Sequence, residues 1–478
     1  VNWRGFSIGA GEAVRVQQPG ASSVLLNRVV GGEASQILGR LQANGKLFLV
    51  NQNGVLFGRD AQVDVGSLVG STLDIRDDDF LAGRLRFAGP QGIGASASGI
   101  VNQGRISAAE RGTVALLGGS VRNDGLIEAR LGTVALGAGS RITLDLAGDG
   151  LSSLRIDEAA LQAQVASGGA LLADGGAVLL TARAIEELAS GSINASGVVR
   201  ARSLVERDGR IVLDAGTGPG GGTTLASGQL DASGDPSNNA VRGGSIALLG
   251  RHVGVTDAAL LDASGAAGGG QILVGGDAHG ANPAVPNAQA SYVGPQAVLR
   301  ADAIRQGDGG RIVVWGDDAA RAYGSLSARG GSQGGNGGFI ETSGKFLDVA
   351  GARIDASAPR GSGGEWLLDP LDIGIGNSAV NGSTQVTASP NFTATGTAAF
   401  VNAADIEAAL NQGFNVTVST GSDPLIGQPG DIGFWIGTTI NKTAGGDATL
   451  RLNAHNDIYT SIDGPARTTI TSSSGRLH

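Results

Sequence analysis

Gly112-Thr113-Val114-Ala115-Leu116 returns twenty residues later as Gly132-Thr133-Val134-Ala135-Leu136, and both blocks close on Gly-Ser, at Gly119-Ser120 and Gly139-Ser140. The pattern of glycine followed by alternating apolar positions recurs at Gly176-Ala177-Val178-Leu179-Leu180, Gly209-Arg210-Ile211-Val212-Leu213 and Gly244-Ser245-Ile246-Ala247-Leu248. It returns again at Gly270-Gln271-Ile272-Leu273-Val274, Gly310-Arg311-Ile312-Val313-Val314 and Gly364-Glu365-Trp366-Leu367-Leu368. Between these copies lies a second unit, Leu230-Asp231-Ala232-Ser233-Gly234, Leu261-Asp262-Ala263-Ser264-Gly265, Leu326-Ser327-Ala328-Arg329-Gly330 and Ile354-Asp355-Ala356-Ser357. Short strands with one apolar face cannot bury that face alone, so they must stack on copies of themselves.

The glycine openers lie 20 to 54 residues apart. Coils of roughly 20–25 residues, some carrying insertions, fit that spread better than the fixed blades of a propeller. The expected fold is all-β, a right-handed parallel β-helix (β-solenoid) with short lateral insertions and few short helices. Val114, Leu116, Val134 and Leu136 are expected to point inward, and glycine to supply the positive-φ corners. Helical patterns are short, at 157–165, 182–189 and 403–411, the last being the clearest.

Composition agrees with stacked coils. Among 478 residues there are 83 glycines and 13 prolines, with 41% hydrophobic and 16% charged residues. No Gly-X-Y period marks collagen, and the apolar content is too high for a disordered chain. A net charge of −9 without clustered Lys and Arg argues against nucleic acid as a partner. No apolar run reaches the roughly 20 residues that cross a bilayer, so no membrane insertion is expected. With no cysteine there is neither a disulfide nor a thiolate metal site.

The first 80 residues carry a denser signal: Val1-Asn2-Trp3, Gln18-Pro19, Leu26-Asn27-Arg28-Val29, Ser35-Gln36-Ile37, Leu41-Gln42-Ala43-Asn44-Gly45, Asn51-Gln52-Asn53-Gly54 and Ser71-Thr72-Leu73-Asp74-Ile75. In this order they resemble the haemagglutination-activity, or two-partner secretion, domain of the filamentous haemagglutinin and high-molecular-weight adhesin family. Gly337-Gly338-Phe339-Ile340-Glu341-Thr342-Ser343-Gly344 and Trp366-Leu367-Leu368-Asp369-Pro370 resemble the same group. The family often has Asn-Pro-Asn-Gly where this chain has Asn51-Gln52-Asn53-Gly54, which removes a ring that stiffens the turn. Against the family's domain the chain reads as truncated at its amino terminus and cut through a continuing solenoid after Leu477-His478.

The resemblance implies an expected organisation: residues 1–150 as the remainder of the secretion domain, 151–370 as shaft repeats, and 371–478 as continuing solenoid with a helix at 403–411. It implies export unfolded through an outer-membrane transporter barrel, a location outside the cell or on its surface, and adhesion to host cells, surfaces or other bacteria. The receptor, glycan or protein, has no motif. The same export domain also serves stems of contact-dependent toxins, the alternative reading.

Asn51, Gln52, Asn53 and Gly54 are the candidate secretion motif; by local chemistry alone they are turn and ladder residues. Sequons at Asn381, Asn391, Asn415 and Asn441, with Asn194 earlier, are candidate glycosylation sites, although Asn- and Ser/Thr-rich composition produces such triplets by chance. Asp77-Asp78-Asp79 reads as a solvated acidic loop rather than a cation site. Polysaccharide-degrading β-helices gather carboxylates on one face, whereas Asp231, Asp262 and Asp355 sit at equivalent places of a turn repeat and read as Asx-turn residues. His252, His279, His455 and His478 share no ligand spacing. No enzyme activity, cofactor or metal is expected.

Overall fold

The computed structural model describes residues 1–89, 98–146, 152–186, 192–218, 220–377, 399–460 and 467–478. They form two compact units, Val1–Asp231 and Ala232–His478. Each is a stack of β-helical coils whose strands pair in parallel with those of the coils above and below.

In the first unit three columns of strands run up the stack. One column contains Thr113–Gly118, Thr133–Ala138 and Ala177–Ala182, paired so that Val114, Val134 and Val178 fall in one row and Leu116, Leu136 and Leu180 in another. All six side chains have no measurable exposure, as the repeat predicts. Identical residues meet because the repeat length equals one coil, and period-2 alternation keeps the same face inward at every level.

The outward face of this column is also dry. Asp74–Ile75, Leu85–Ala88, Arg141–Leu146 and Ser152–Glu158 form a four-stranded antiparallel sheet outside the coils. Leu73, Ile75, Phe87, Ile142 and Leu144 pack there with the outward-facing Ala115, Leu117, Ala135 and Leu179. This explains why Thr113–Gly118 is apolar without clean alternation: both faces are covered.

Glycine takes positive φ at turns such as Gly175, Gly216 and Gly307, but the opening glycines serve a different purpose. Gly112, Gly132 and Gly176 open the strands but lack positive φ; the left-handed residues stand one place earlier, at Arg111 (φ 64°), Leu131 (φ 56°) and Gly175 (φ 69°). What demands glycine at the openers is close approach. A Cβ on Gly132 would lie 1.9 Å from the Gly112 carbonyl oxygen, and one on Gly176 would lie 2.0 Å from that of Gly132.

The second unit repeats the design. Ser245–Leu249, Gln271–Val274, Arg311–Ala322, Phe339–Asp348, Glu365–Asp369, Asn415–Ser419 and Leu450–Asn453 stack so that Ile246, Ile272, Ile312, Ile340, Trp366, Val416 and Leu450 form one row. The segments around Ile340 and Trp366 are therefore neighbours on adjacent coils, and inside the stack Trp366 Nε1 donates to Thr342 Oγ1 at 3.1 Å.

Of the expected helices, Ala403–Asn411 forms, with Asn402 as its cap accepting from the Ala404 amide at 3.2 Å. Ala403, Ile406, Ala409 and Leu410 are its buried face. The segment 157–165 is not helical. Ser152–Glu158 pairs with Arg141–Leu146, and Gln164–Ser167 takes its place in a column, so ladder pairing overrides a weak local preference. The segment 182–189 begins at the end of the strand Ala177–Ala182, and Ala184 bridges to Ala160; 187–189 lie outside the described residues. The acidic run is the first turn of a short helix, Asp77–Leu81, rather than a loop.

Candidate functional site

The sequence motifs of the first 80 residues lie far apart along the chain, and the first coils bring them together in pairs. Gln18, nearly buried, donates from its backbone amide to Asn44 Oδ1 at 2.7 Å, while Asn44 Nδ2 returns a bond to the Gln18 carbonyl at 2.8 Å. Gln18 Oε1 accepts the Gly45 amide, and Gln18 Nε2 donates to the Ser23 carbonyl. Asn27 Oδ1 accepts the Trp3 indole N–H at 3.0 Å, and its Nδ2 reaches the Phe48 carbonyl.

Arg28 joins the coil to the outer sheet. Its Nε lies 2.8 Å from Asp74 Oδ1 and its Nη1 2.8 Å from Asp77 Oδ1, and it also donates to the Ile75 carbonyl. Burial pulls the guanidinium pKa down, but the bonds to Asp77 and Asp74 outweigh it and leave the group raised. Asp79 pairs with Arg84 at 2.7 Å, so two of the three consecutive aspartates are held by arginine. Among the described residues no cluster of His, Asp and Glu has the arrangement of a metal site.

Asn51 is completely buried and fully bonded. Its Nδ2 donates to the Glu33 carbonyl and to Ser35 Oγ, both at 3.0 Å; its Oδ1 accepts the Asn53 amide at 3.0 Å and Asn53 Nδ2 at 3.2 Å. The Asn53 side chain also donates to the Gly31 carbonyl at 2.7 Å, and the Gly54 amide closes the turn on the Asn51 carbonyl at 3.1 Å. Gly54 carries φ +118°, which disfavours any other residue. An Asx turn from Asn51 thus holds the backbone where the family often has a proline. Gln52 is exposed and lines a groove with Arg76, Arg86, Arg141 and Arg155 of the outer sheet and its flanks.

A family model for the TPS secretion domain matches residues 1–230. The crystal structure of the HMW1 secretion domain from Haemophilus influenzae is similar, with TM-score 0.65 and 30% identity over 77% of this chain and 92% of that one. The chain belongs to the TPS secretion domain family. Heme/hemopexin-binding proteins of Haemophilus influenzae are also similar, one 32% identical over 220 residues and another 44% identical over 75 residues. The first match takes in 45% of this chain and the second 16%, and the chain spans 24% and 8% of the length of these curated relatives.

The remaining candidates from the residue pattern do not converge on one place. Asp262 Oδ1 accepts the Ser264 amide at 2.8 Å and Asp355 Oδ1 accepts the Ser357 amide at 3.0 Å, so both form Asx turns. Asp231 is nearly buried and bonded to Arg202 at 2.8 Å. Asn415 and Asn441 lie in strands, each with Oδ1 holding the neighbouring coil, through the Thr449 amide and Thr471 Oγ1 respectively. Asn381 and Asn391 fall outside the described residues. Gln18, Asn27, Arg28 and Asn44 are landmarks of the sequence pattern whose structural role is not legible there. Polar residues set among strand-forming stretches are the available signal, and their partners on other coils, 21 to 46 residues away, leave no local trace.

Proposed function

We propose that this chain is the secretion domain and adjoining coils of a bacterial surface adhesin, exported by a two-partner system. A dedicated outer-membrane transporter barrel takes the chain across unfolded, and the coils form outside the cell, where they attach it to host cells, surfaces or other bacteria through a glycan or protein receptor. The observation that carries the export reading is the match of residues 1–230 to the secretion domain. Sequential export suits coils that each bury their apolar face on the one before. A binding protein without catalysis suits a fold whose repeated aspartates are committed to turns and to arginine.

A second reading, binding of heme or hemopexin, draws on the names of the two relatives. Residues 1–230 contain no His, Cys, Met or Tyr, the usual axial ligands, so direct ligation of heme iron in the matched coils lacks a donor. Co-expression with and without the transporter barrel tests the first reading. Full-length protein in the medium only when the barrel is present, with cell attachment following it, is the expected result. Secretion independent of the barrel overturns the export reading, and secretion without attachment overturns adhesion.

A further inference from the structure

In the second unit an outward-facing row crosses four parallel strands. Phe400, Gly374, Gly433 and Tyr459 follow one another in register. The two glycines form a floor on which aromatic rings rest. A Cβ on Gly374 would lie 2.7 Å from Trp435 Nε1, and one on Gly433 would lie 2.8 Å from the phenol end of Tyr459. Trp435 meets Phe400 edge to face, with ring centroids 5.4 Å apart and planes at 69°. Trp435 nevertheless stays 48% exposed and Tyr459 52%.

These rings border an open trough of about 550 Å³ whose other walls carry Asp372 and Asp431. Both carboxylates are fixed by bonds from the backbone. Asp372 Oδ1 accepts the Gly430 and Asp431 amides at 2.7 and 2.8 Å, and Asp431 Oδ1 accepts the Asp457 amide at 3.1 Å and Asn456 Nδ2 at 2.8 Å. Among the described residues no lysine or arginine lines the trough.

We propose that this trough binds a neutral oligosaccharide. A pyranose ring has an apolar C–H face that stacks on an aromatic plane and an equatorial rim of hydroxyl donors. Trp435 and Tyr459 offer the planes, and Asp372 and Asp431 the acceptors. A lining of carboxylates without lysine or arginine turns away sialylated, uronic and phosphorylated sugars, which would bring further negative charge beside Asp372 and Asp431. Glycine at 374 and 433 is what lets the rings lie against the sheet, since a methyl at either place would push the ring outward. Sugar binding here is independent of export, so failure of either leaves the other standing.

The test is titration of the purified 478-residue chain with N,N′,N″-triacetylchitotriose and maltotriose, with 3′-sialyllactose as the anionic control, read by tryptophan fluorescence and calorimetry. Saturable millimolar or tighter binding of at least one neutral trisaccharide and none of sialyllactose is expected. Trp435→Ala and Tyr459→Ala should each weaken binding about tenfold. Gly433→Ala, which keeps every aromatic ring but displaces Tyr459, should weaken it with the same melting profile as the parent. Preference for sialyllactose, no saturation with either neutral sugar, or unchanged affinity in both Tyr459→Ala and Gly433→Ala overturns the proposal.

Discussion

Asn102 Nδ2 donates to Asn123 Oδ1 at 2.8 Å, and neither residue has any exposed surface. The two stand in register on adjacent coils, in the strands Gly99–Asn102 and Ser120–Asn123. Asn123 passes the ladder on, its Nδ2 lying 3.4 Å from Ser167 Oγ. A buried amide left without its partner costs about 1–3 kcal/mol. Asn123→Ala should therefore destabilise the first unit by that amount, measured as a lower denaturant midpoint with an unchanged slope.

Leu116→Asp places an unpaired charge where exposure is zero and where Leu136 is the neighbour in the stack. Several kcal/mol of destabilisation, on the order of 4, is expected. Leu117→Asp should cost a similar amount, because the outer antiparallel sheet dries that face too. If only the first variant unfolds early, the outer sheet does not seal the column.

Two adjacent positions should respond in opposite senses to glycine chemistry. Gly112→Ala drives a methyl to 2.2 Å from the Gly66 carbonyl oxygen and should lower the melting temperature strongly. The exposed Arg111, at φ 64°, loses a left-handed penalty of about 1 kcal/mol when it becomes glycine, so Arg111→Gly should be neutral or stabilising. Thermal melts of both variants check the pair.

For export, Gly54→Val puts a β-branched residue at φ +118°, and Asn51→Ala removes the hub of the Asn51–Asn53 turn. Each should reduce the amount of full-length protein in the medium relative to the periplasm, with the barrel co-expressed and synthesis unchanged. Gln52→Pro, which restores the residue the family often has, should export at least as well as the parent. Equal secretion of Gly54→Val and the parent reduces the segment to an ordinary turn.

Burial raises the pKa of Glu341, a fully buried side chain that accepts the His279 amide at 3.0 Å. A carboxyl raised in the folded state binds its proton more tightly there than in the unfolded chain. The folded state is thus favoured at acid pH and loses that stability as pH rises from about 4.5, the ordinary value, through the raised folded value. Glu341→Gln keeps an acceptor for the His279 amide and abolishes the titration. The variant's stability relative to the parent should rise between pH 4 and 7, in urea midpoints measured across that range.

The coil follows from residue order alone. A 20-residue repeat whose two copies align without gaps sets the coil length and places Val114 against Val134 and Leu116 against Leu136. Residue order also made the secretion-domain family recognisable, through the ordered motifs around Gln18, Asn27, Asn44 and Asn51. Which of these residues meet was settled by folding. The Arg28 bond to Asp74 spans 46 positions and the Gln18 bond to Asn44 spans 26, and neither pairing follows from local periodicity. Folding also made the glycine openers answer to a carbonyl of the preceding coil rather than to their own φ, because that oxygen arrives from a different turn of the chain. The two ends of the segment 157–165 became strand, with a turn between them, for the same reason: their partners lie in other parts of the sequence, and ladder bonds outweigh a preference of a few tenths of a kcal/mol per residue.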